Sequence, residues 1–203
     1  MNAADALRKL KHADPEVRRE AVEALGDTED PAVIPALVMA LRDEDELVPQ
    51  LAAMALGRIG GPGAVAALVD TLTGAHEDEF LRAAAAEALV STQDGTAFEP
   101  LLKAMKHSKP TVRAEAVWPL AVLGERRAFP ALLEALNDSY GGVRRSAAQE
   151  LGRIGNAAAV EALGGAMQDD DPTVRDAAIE ALHRLGGPKA AALLAQHERA
   201  EGG

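Results

Sequence analysis

The chain has no cysteine in its 203 residues, which removes disulfide stapling, thiolate metal sites and a thiol nucleophile together. Aromatic residues are almost as scarce. One tryptophan, one tyrosine and three phenylalanines make up 2% of the chain, although 48% of it is apolar. A core of alanine and leucine suits closely packed helices, because sheets draw on β-branched and aromatic side chains. No run approaches the roughly 18 apolar residues of a membrane span, so no membrane partner is expected. The stretch Met1 to Leu7 sets no basic region before an apolar one, as a secretory signal would, so the expected location is cytoplasmic. Basic residues are outnumbered 21 to 32 by acidic ones, for a formal net charge of −11. Phosphate backbones repel such a chain unless its cations gather on one face, and nucleic acid is not an expected partner.

What the chain does have is repetition. The string Val17-Arg18-Arg19-Glu20-Ala21-Val22-Glu23-Ala24-Leu25-Gly26 recurs at Val48, Leu81, Val112, Val143 and Val174, in steps of 31, 33, 31, 31 and 31 residues. Two columns never vary: Ala21, Ala52, Ala85, Ala116, Ala147, Ala178, and Leu25, Leu56, Leu89, Leu120, Leu151, Leu182. After each string comes a second apolar pattern, such as Ile34, Leu37, Val38, Leu41 or Phe129, Leu132, Leu133, Leu136. Its i, i+3, i+4, i+7 spacing is one stripe of an amphipathic helix, and the first string is helical by the same test. Each unit therefore reads as a first helix, a turn, a second helix and a turn.

The punctuation agrees. Asp14-Pro15 and Asp171-Pro172 each put a capping carboxylate before a proline at the first helical position. Gly26, Gly57 and Gly152 fall where left-handed caps would end the first helices, and Pro35 and Pro130 sit early in second helices. Ala3, Ala6, Leu7 and Leu10 match the second-helix pattern 31 residues ahead of its next copy, so an unpaired half-repeat opens the array. Glu198 stands where earlier copies have leucine, as a solubilising end of a stack would. The expected architecture is an all-α solenoid, one domain over residues 1–203. It comprises a half-repeat at 1–12, six two-helix repeats near 13–42, 43–75, 76–106, 107–137, 138–168 and 169–199, and a polar tail at 200–203.

The run Asp171-Pro172-Thr173-Val174-Arg175-Asp176-Ala177-Ala178-Ile179-Glu180-Ala181-Leu182, with the matching Asp14-Pro15-Glu16-Val17-Arg18, resembles the short HEAT-like repeats of the phycobilin-lyase type. The resemblance extends over nearly the whole chain. It implies a stacked helical array whose second helices line a concave face. For function it implies a choice, because scaffolds, chromophore-lyase subunits and di-iron hydroxylases share this architecture. The hydroxylases carry paired His-Glu within the first helices. At those positions this chain has Arg19-Glu20, Gln50-Leu51, Ala83-Ala84, Ala114-Glu115, Arg145-Ser146 and Asp176-Ala177. His76-Glu77 and His197-Glu198 lie elsewhere, so no iron site is expected.

Several side chains stand out from the repeat. Arg18, Arg82, Arg113, Arg144 and Arg175 form a column broken only by Pro49. A binding site is rarely repeated in every unit, so a structural ladder to neighbouring turns is expected rather than a row of anion binders. His12, Asp43, His76, His107, Asp138 and Asp169 share an inter-repeat turn. Stacked helix pairs hold such turns about 8–10 Å apart, whereas metal ligands converge to about 2 Å from the ion, so capping is expected and metal is not. Trp118 occupies a column otherwise filled by Glu23, Met54, Glu87, Gln149 and Glu180, which is an exposed register. Pro119 after it should kink or break the helix, at about 3 kcal/mol or more. Trp118 then either marks an interface or turns inward to fill its own gap. Phe80, beside a two-residue insertion, is either an exposed anchor or a staple onto the next helix. The exposed side of the second helices has small columns, Ala36, Ala67, Ala131, Ala162 and Ala40, Ala104, Ala135, Ala166, with Met39, Asp70, Lys103, Glu134 and Gly165 between them. That surface could receive a partner helix or loop.

No pair of acid–base groups or nucleophile elbow appears, so no catalytic residue, metal or cofactor is expected. The expected function is a non-catalytic scaffold that binds another protein on its concave face. The named contacts are Trp118, Pro119, Met39, Asp70, Lys103, Glu134 and Phe80. The alternative, implied by the resemblance alone, is a subunit of, or chaperone for, a tetrapyrrole (phycobilin) lyase. The opening half-repeat leaves homodimerisation open.

Overall fold

Aspartates set four of the six first-helix starts. In the computed structural model, which describes residues 1–74, 78–93 and 95–201 (at 201 the backbone alone), α1 spans Ala3–Lys9. The Asp14 carboxylate accepts the N–H of Glu16 and opens α2 (Pro15–Gly26). Asp45 accepts the N–H groups of Leu47 and Val48 at the head of α4 (Leu47–Ile59), and Asp78 those of Phe80 and Leu81 at α6 (Glu79–Ser91). Asp171 does the same for Thr173 at α12 (Pro172–Leu185). Lys109 and Tyr140 hold the equivalent places before α8 (Pro110–Gly124) and α10 (Gly141–Ile154), which have no side-chain cap. Between these first helices run the second ones: α3 (Ile34–Ala40), α5 (Gly61–Thr73), α7 (Phe98–Ala104), α9 (Phe129–Ala135), α11 (Val160–Ala166) and α13 (Gly187–Glu201).

Helices alternating by short turns, with no strand among the described residues, make the chain an α-solenoid. No helix among them is long and apolar enough to cross a membrane. Contacts divide the chain within α7 into two compact units, Met1–Leu101 and Leu102 onward. In the first, α2 packs on α4 and α4 on α6, with α3 and α5 against them. In the second, α8 packs on α10 and α10 on α12, with α9, α11 and α13 behind. Both invariant columns are completely buried, each alanine and leucine at 0% exposure. A leucine so buried contributes about 2 kcal/mol, while alanine between the leucines lets neighbouring helices approach closely.

The glycine reading needs correction. Gly26, Gly57 and Gly152 lie inside right-handed helix and cap nothing. They are there because a neighbour is too close for a side chain. A Cβ on Gly57 would lie 2.9 Å from the Ala88 Cα, and one on Gly152 2.7 Å from the Ala181 Cα. The left-handed residues come three positions later, at Gly60, Gly155 and Gly186 (φ 67°, 73° and 62°). In the two copies that lack glycine there, Glu29 and Gln93 adopt φ 51° and 49°, whereas in the copy that carries Gly124 the positive φ falls one residue later, at Glu125 (41°).

Two further expectations change. Ala40, Ala104 and Ala135 are buried rather than facing outward, and Ala166 borders the surface with the Ala36, Ala67, Ala131, Ala162 column. Pro119 does not break its helix: α8 runs continuously from Pro110 to Gly124, with Pro119 buried beside Val117, Leu120 and Ala121. Packing of that face outweighs the hydrogen bond that proline cannot donate. Pro49, the gap in the arginine column, is the third residue of α4, where a backbone N–H has no intrahelical partner to lose.

Candidate functional site

Arginine leaves the core stripe and reaches in two directions. Arg18 donates from Nε and Nη2 to both oxygens of Asp43 at 2.9 and 2.8 Å, and from Nη1 to the His12 carbonyl at 2.8 Å. Arg113 does the same with Asp138 (2.8 and 2.7 Å) and the His107 carbonyl (2.9 Å). Arg144 repeats it with Asp169 (2.7 and 2.7 Å) and the Asp138 carbonyl (2.8 Å). Each bidentate pair joins one turn to the next, and the carboxylate also accepts the N–H two residues on, from Asp45, Tyr140 or Asp171. Arg175 makes the backward bonds to Asp169 and Asp170, but Ala200 stands at its forward position. Arg82 is buried in α6.

These bonds set the local electrostatics. The guanidinium of Arg113 holds the Asp138 carboxyl below its ordinary value, and Arg144 does so for Asp169, each against the opposing pull of burial. For Asp43 burial is the largest influence and pulls upward. Arg18 and the Asp45 N–H together outweigh it, and the net shift is down. At the same turn position His12 and His107 use Nδ1 to accept the N–H of Asp14 and Lys109, each at 3.1 Å, so histidine and aspartate do one job there. No group of three or more histidines and carboxylates among the described residues could hold a metal ion. His76 and Glu77 lie outside the described residues.

The candidate contact residues are divided between the two units. Met39 on α3 is 71% exposed, and Asp70 on α5 is exposed, both in the first unit with Phe80. Phe80, in the first turn of α6, is 63% exposed. Lys103 on α7 and Glu134 on α9 are exposed in the second unit. Trp118 lies there too, on a first helix, and 38% of it stays open to solvent. On or just before the first helices, Leu47 (43%), Met54 (50%) and Tyr140 (42%) are exposed apolar side chains outside the expected contact set. Comparing columns would have found them, because the copies elsewhere put polar or small residues at most of those places.

With helix pairs, burial and turns in place, the sequence pattern of HEAT repeats matches residues 4–89, 71–150 and 130–201. The chain belongs to the HEAT-repeat family. Among curated proteins none matches it in sequence. Human deoxyhypusine hydroxylase in complex with glycerol is similar at 25% identity and a TM-score of 0.50, over 90% of this chain and 73% of that one. A designed armadillo repeat protein in complex with the peptide (KR)4 is similar at 21% identity and a TM-score of 0.52, over 92% and 100%. The CpcE–CpcF complex of phycocyanin lyase from Nostoc sp. PCC7120 is similar at 23% and 0.45, over 96% and 92%. The HEAT-repeat chain has none of the first-helix His-Glu pairs that the resemblance attaches to the hydroxylases.

Proposed function

We propose that this HEAT-repeat chain is a non-catalytic scaffold that binds a partner protein through the side lined by its second helices and through the surface around Trp118. The observation that carries the proposal is Trp118 itself. It is the chain's one tryptophan, held partly exposed on α8 by the buried Pro119 behind it, in a column that is otherwise mostly glutamate and glutamine. Tryptophan is enriched at interface hot spots, and a solvent-facing ring gains most when a partner covers it. Met39, the most exposed apolar side chain of the second helices, extends the same argument to the first unit. The arginine forks support the reading from the opposite side: the strongest cation–carboxylate chemistry in the chain is spent on joining turns. The armadillo and CpcE–CpcF neighbours hold a peptide and a protein respectively, which is the use this architecture lends itself to.

A tetrapyrrole-lyase subunit or chaperone stands second. A groove of about 330 Å³ between α11 and α13 is large enough to be considered, but among the described residues lining it His197 is the one histidine or carboxylate side chain, and a lyase needs a pair.

Fluorotryptophan labelling places a single fluorine probe in this chain, at Trp118. Addition of protein from the host lysate is expected to shift or broaden its NMR resonance, and heat-denatured lysate is not. A resonance unmoved by any protein fraction would take Trp118 out of the contact surface.

A further inference from the structure

One first helix in the first unit departs from the repeat on its solvent side. The place of Leu47 on α4 is Glu16 on α2, Phe80 on α6, Thr111 on α8, Gly142 on α10 and Thr173 on α12. The place of Leu51 is taken by Glu20, Ala84, Glu115, Ser146 and Ala177, and that of Met54 by Glu23, Glu87, Trp118, Gln149 and Glu180. The other helices fold without an apolar row there, so the row on α4 is not required by the stack. Leu47, Leu51 and Met54 are spaced i, i+4, i+7 and form one stripe, with Leu51 half-buried and the other two exposed.

That stripe is one wall of a groove of about 350 Å³ between α2 and α4. The facing wall carries Glu16, Glu20 and Glu23 at the same i, i+4, i+7 spacing. Arg19, the cation inside the groove, is already engaged. Its Nε and Nη2 donate to Asp45 at 2.9 and 2.7 Å, and Nη1 donates to Glu16. Among the described residues neither Glu20 nor Glu23 has an ion-pair partner, and both are exposed. An apolar row thus lies parallel to an acidic row that its own unit leaves largely uncompensated.

We propose that this groove docks a basic amphipathic helix of a partner protein. Apolar residues at i, i+3 or i+4, and i+7 of that helix cover Leu47, Leu51 and Met54, and its lysines or arginines lie over Glu16, Glu20 and Glu23. Seven residues of α4 span about 10 Å, the length of two turns of such a helix. A second copy of this chain fits poorly, since at a net charge of −11 it would bring a like-charged acidic wall to the same groove. The proposal rests on the scaffold reading but uses other residues, those of α2 and α4 in the first unit, so the two can fail separately.

The test is a fluorescence-anisotropy titration of the full chain with a labelled 14-residue helical peptide carrying leucine at those spacings and lysine alongside. A second peptide has glutamate for each lysine. The lysine peptide is expected to bind at least about tenfold more tightly, and raised salt to narrow the gap. The double variant Glu20→Lys, Glu23→Lys reverses the preference. Met54→Ser weakens binding about fivefold, while Met39→Ser on α3 leaves it unchanged. Equal binding of the two peptides, or sensitivity to Met39→Ser in place of Met54→Ser, would overturn the proposal. So would a wild-type dimer in sedimentation that Met54→Ser dissolves, because a second copy would then occupy the groove. Absence of binding by the lysine peptide overturns it as well, and leaves the Trp118 fluorine result, and with it the scaffold reading, standing.

Discussion

Gly152→Val is expected to lower the unfolding free energy by about 3 kcal/mol, whereas Gly165→Ala raises it by about 0.5–1 kcal/mol. Both glycines are helical, on α10 and α11, and propensity alone predicts a gain at each. Space decides the sign. A Cβ at Gly152 meets the Cα and Cβ of Ala181 at 2.7 Å, and an α12 backbone cannot step aside as a flexible side chain would. Valine then adds two methyl groups to a contact that already excludes one. A Cβ at Gly165 meets nothing within 4 Å, so alanine there only narrows the unfolded ensemble. Urea unfolding followed by circular dichroism measures both, with m unchanged if the native compactness is kept. Equal effects at the two positions would show that close approach of α10 and α12 does not limit the stack.

The second large effect is expected at the turn between α9 and α10. Asp138→Ala removes both acceptors of the Arg113 fork and the acceptor of the Tyr140 N–H in one step. The pair is mostly buried, with side-chain exposures of 12% for Arg113 and 14% for Asp138, so water replaces the lost bonds poorly. A loss of about 2 kcal/mol follows near neutral pH. The dependence on pH has a definite sign. The Asp138 carboxyl is held below its ordinary value of 3.8, first by Arg113 and then by the Tyr140 N–H, against burial. Its charged form is therefore favoured in the folded state. The contribution is complete above that ordinary value and disappears as the pH falls through the depressed one. Wild type and variant should differ by a constant amount from neutral pH down to about pH 5 and converge at lower pH. A difference that grows on acidification would contradict the fork as its source.

The repeat made the fold legible. Six copies with invariant alanine and leucine columns leave one way to bury both, and aspartate before the helical run announces most of the starts. The glycines misled because glycine serves two ends that look alike in a sequence, a left-handed turn and a close approach. Gly57 and Gly60 are three residues apart and each serves one of them. Pro119 misled for a related reason: its local cost is readable, but the packing of α8 that outweighs it is not. The groove between α2 and α4 was hidden by its own composition. Leu47, Leu51 and Met54 run beside the core residues Val48, Ala52 and Ala55, so α4 reads as apolar nearly all round, and surface merges with core. Trp118 was legible as an exception to its column, though its exposure required the structure.

Affinity capture from the host lysate, with wild type and Trp118→Ala side by side and with metal content and visible absorbance read on the same purified chain, tests the scaffold reading most directly. The account predicts a defined protein retained by wild type and lost from the variant, on a colourless chain without stoichiometric metal. Stoichiometric iron or a bound chromophore, with no protein retained, would contradict it.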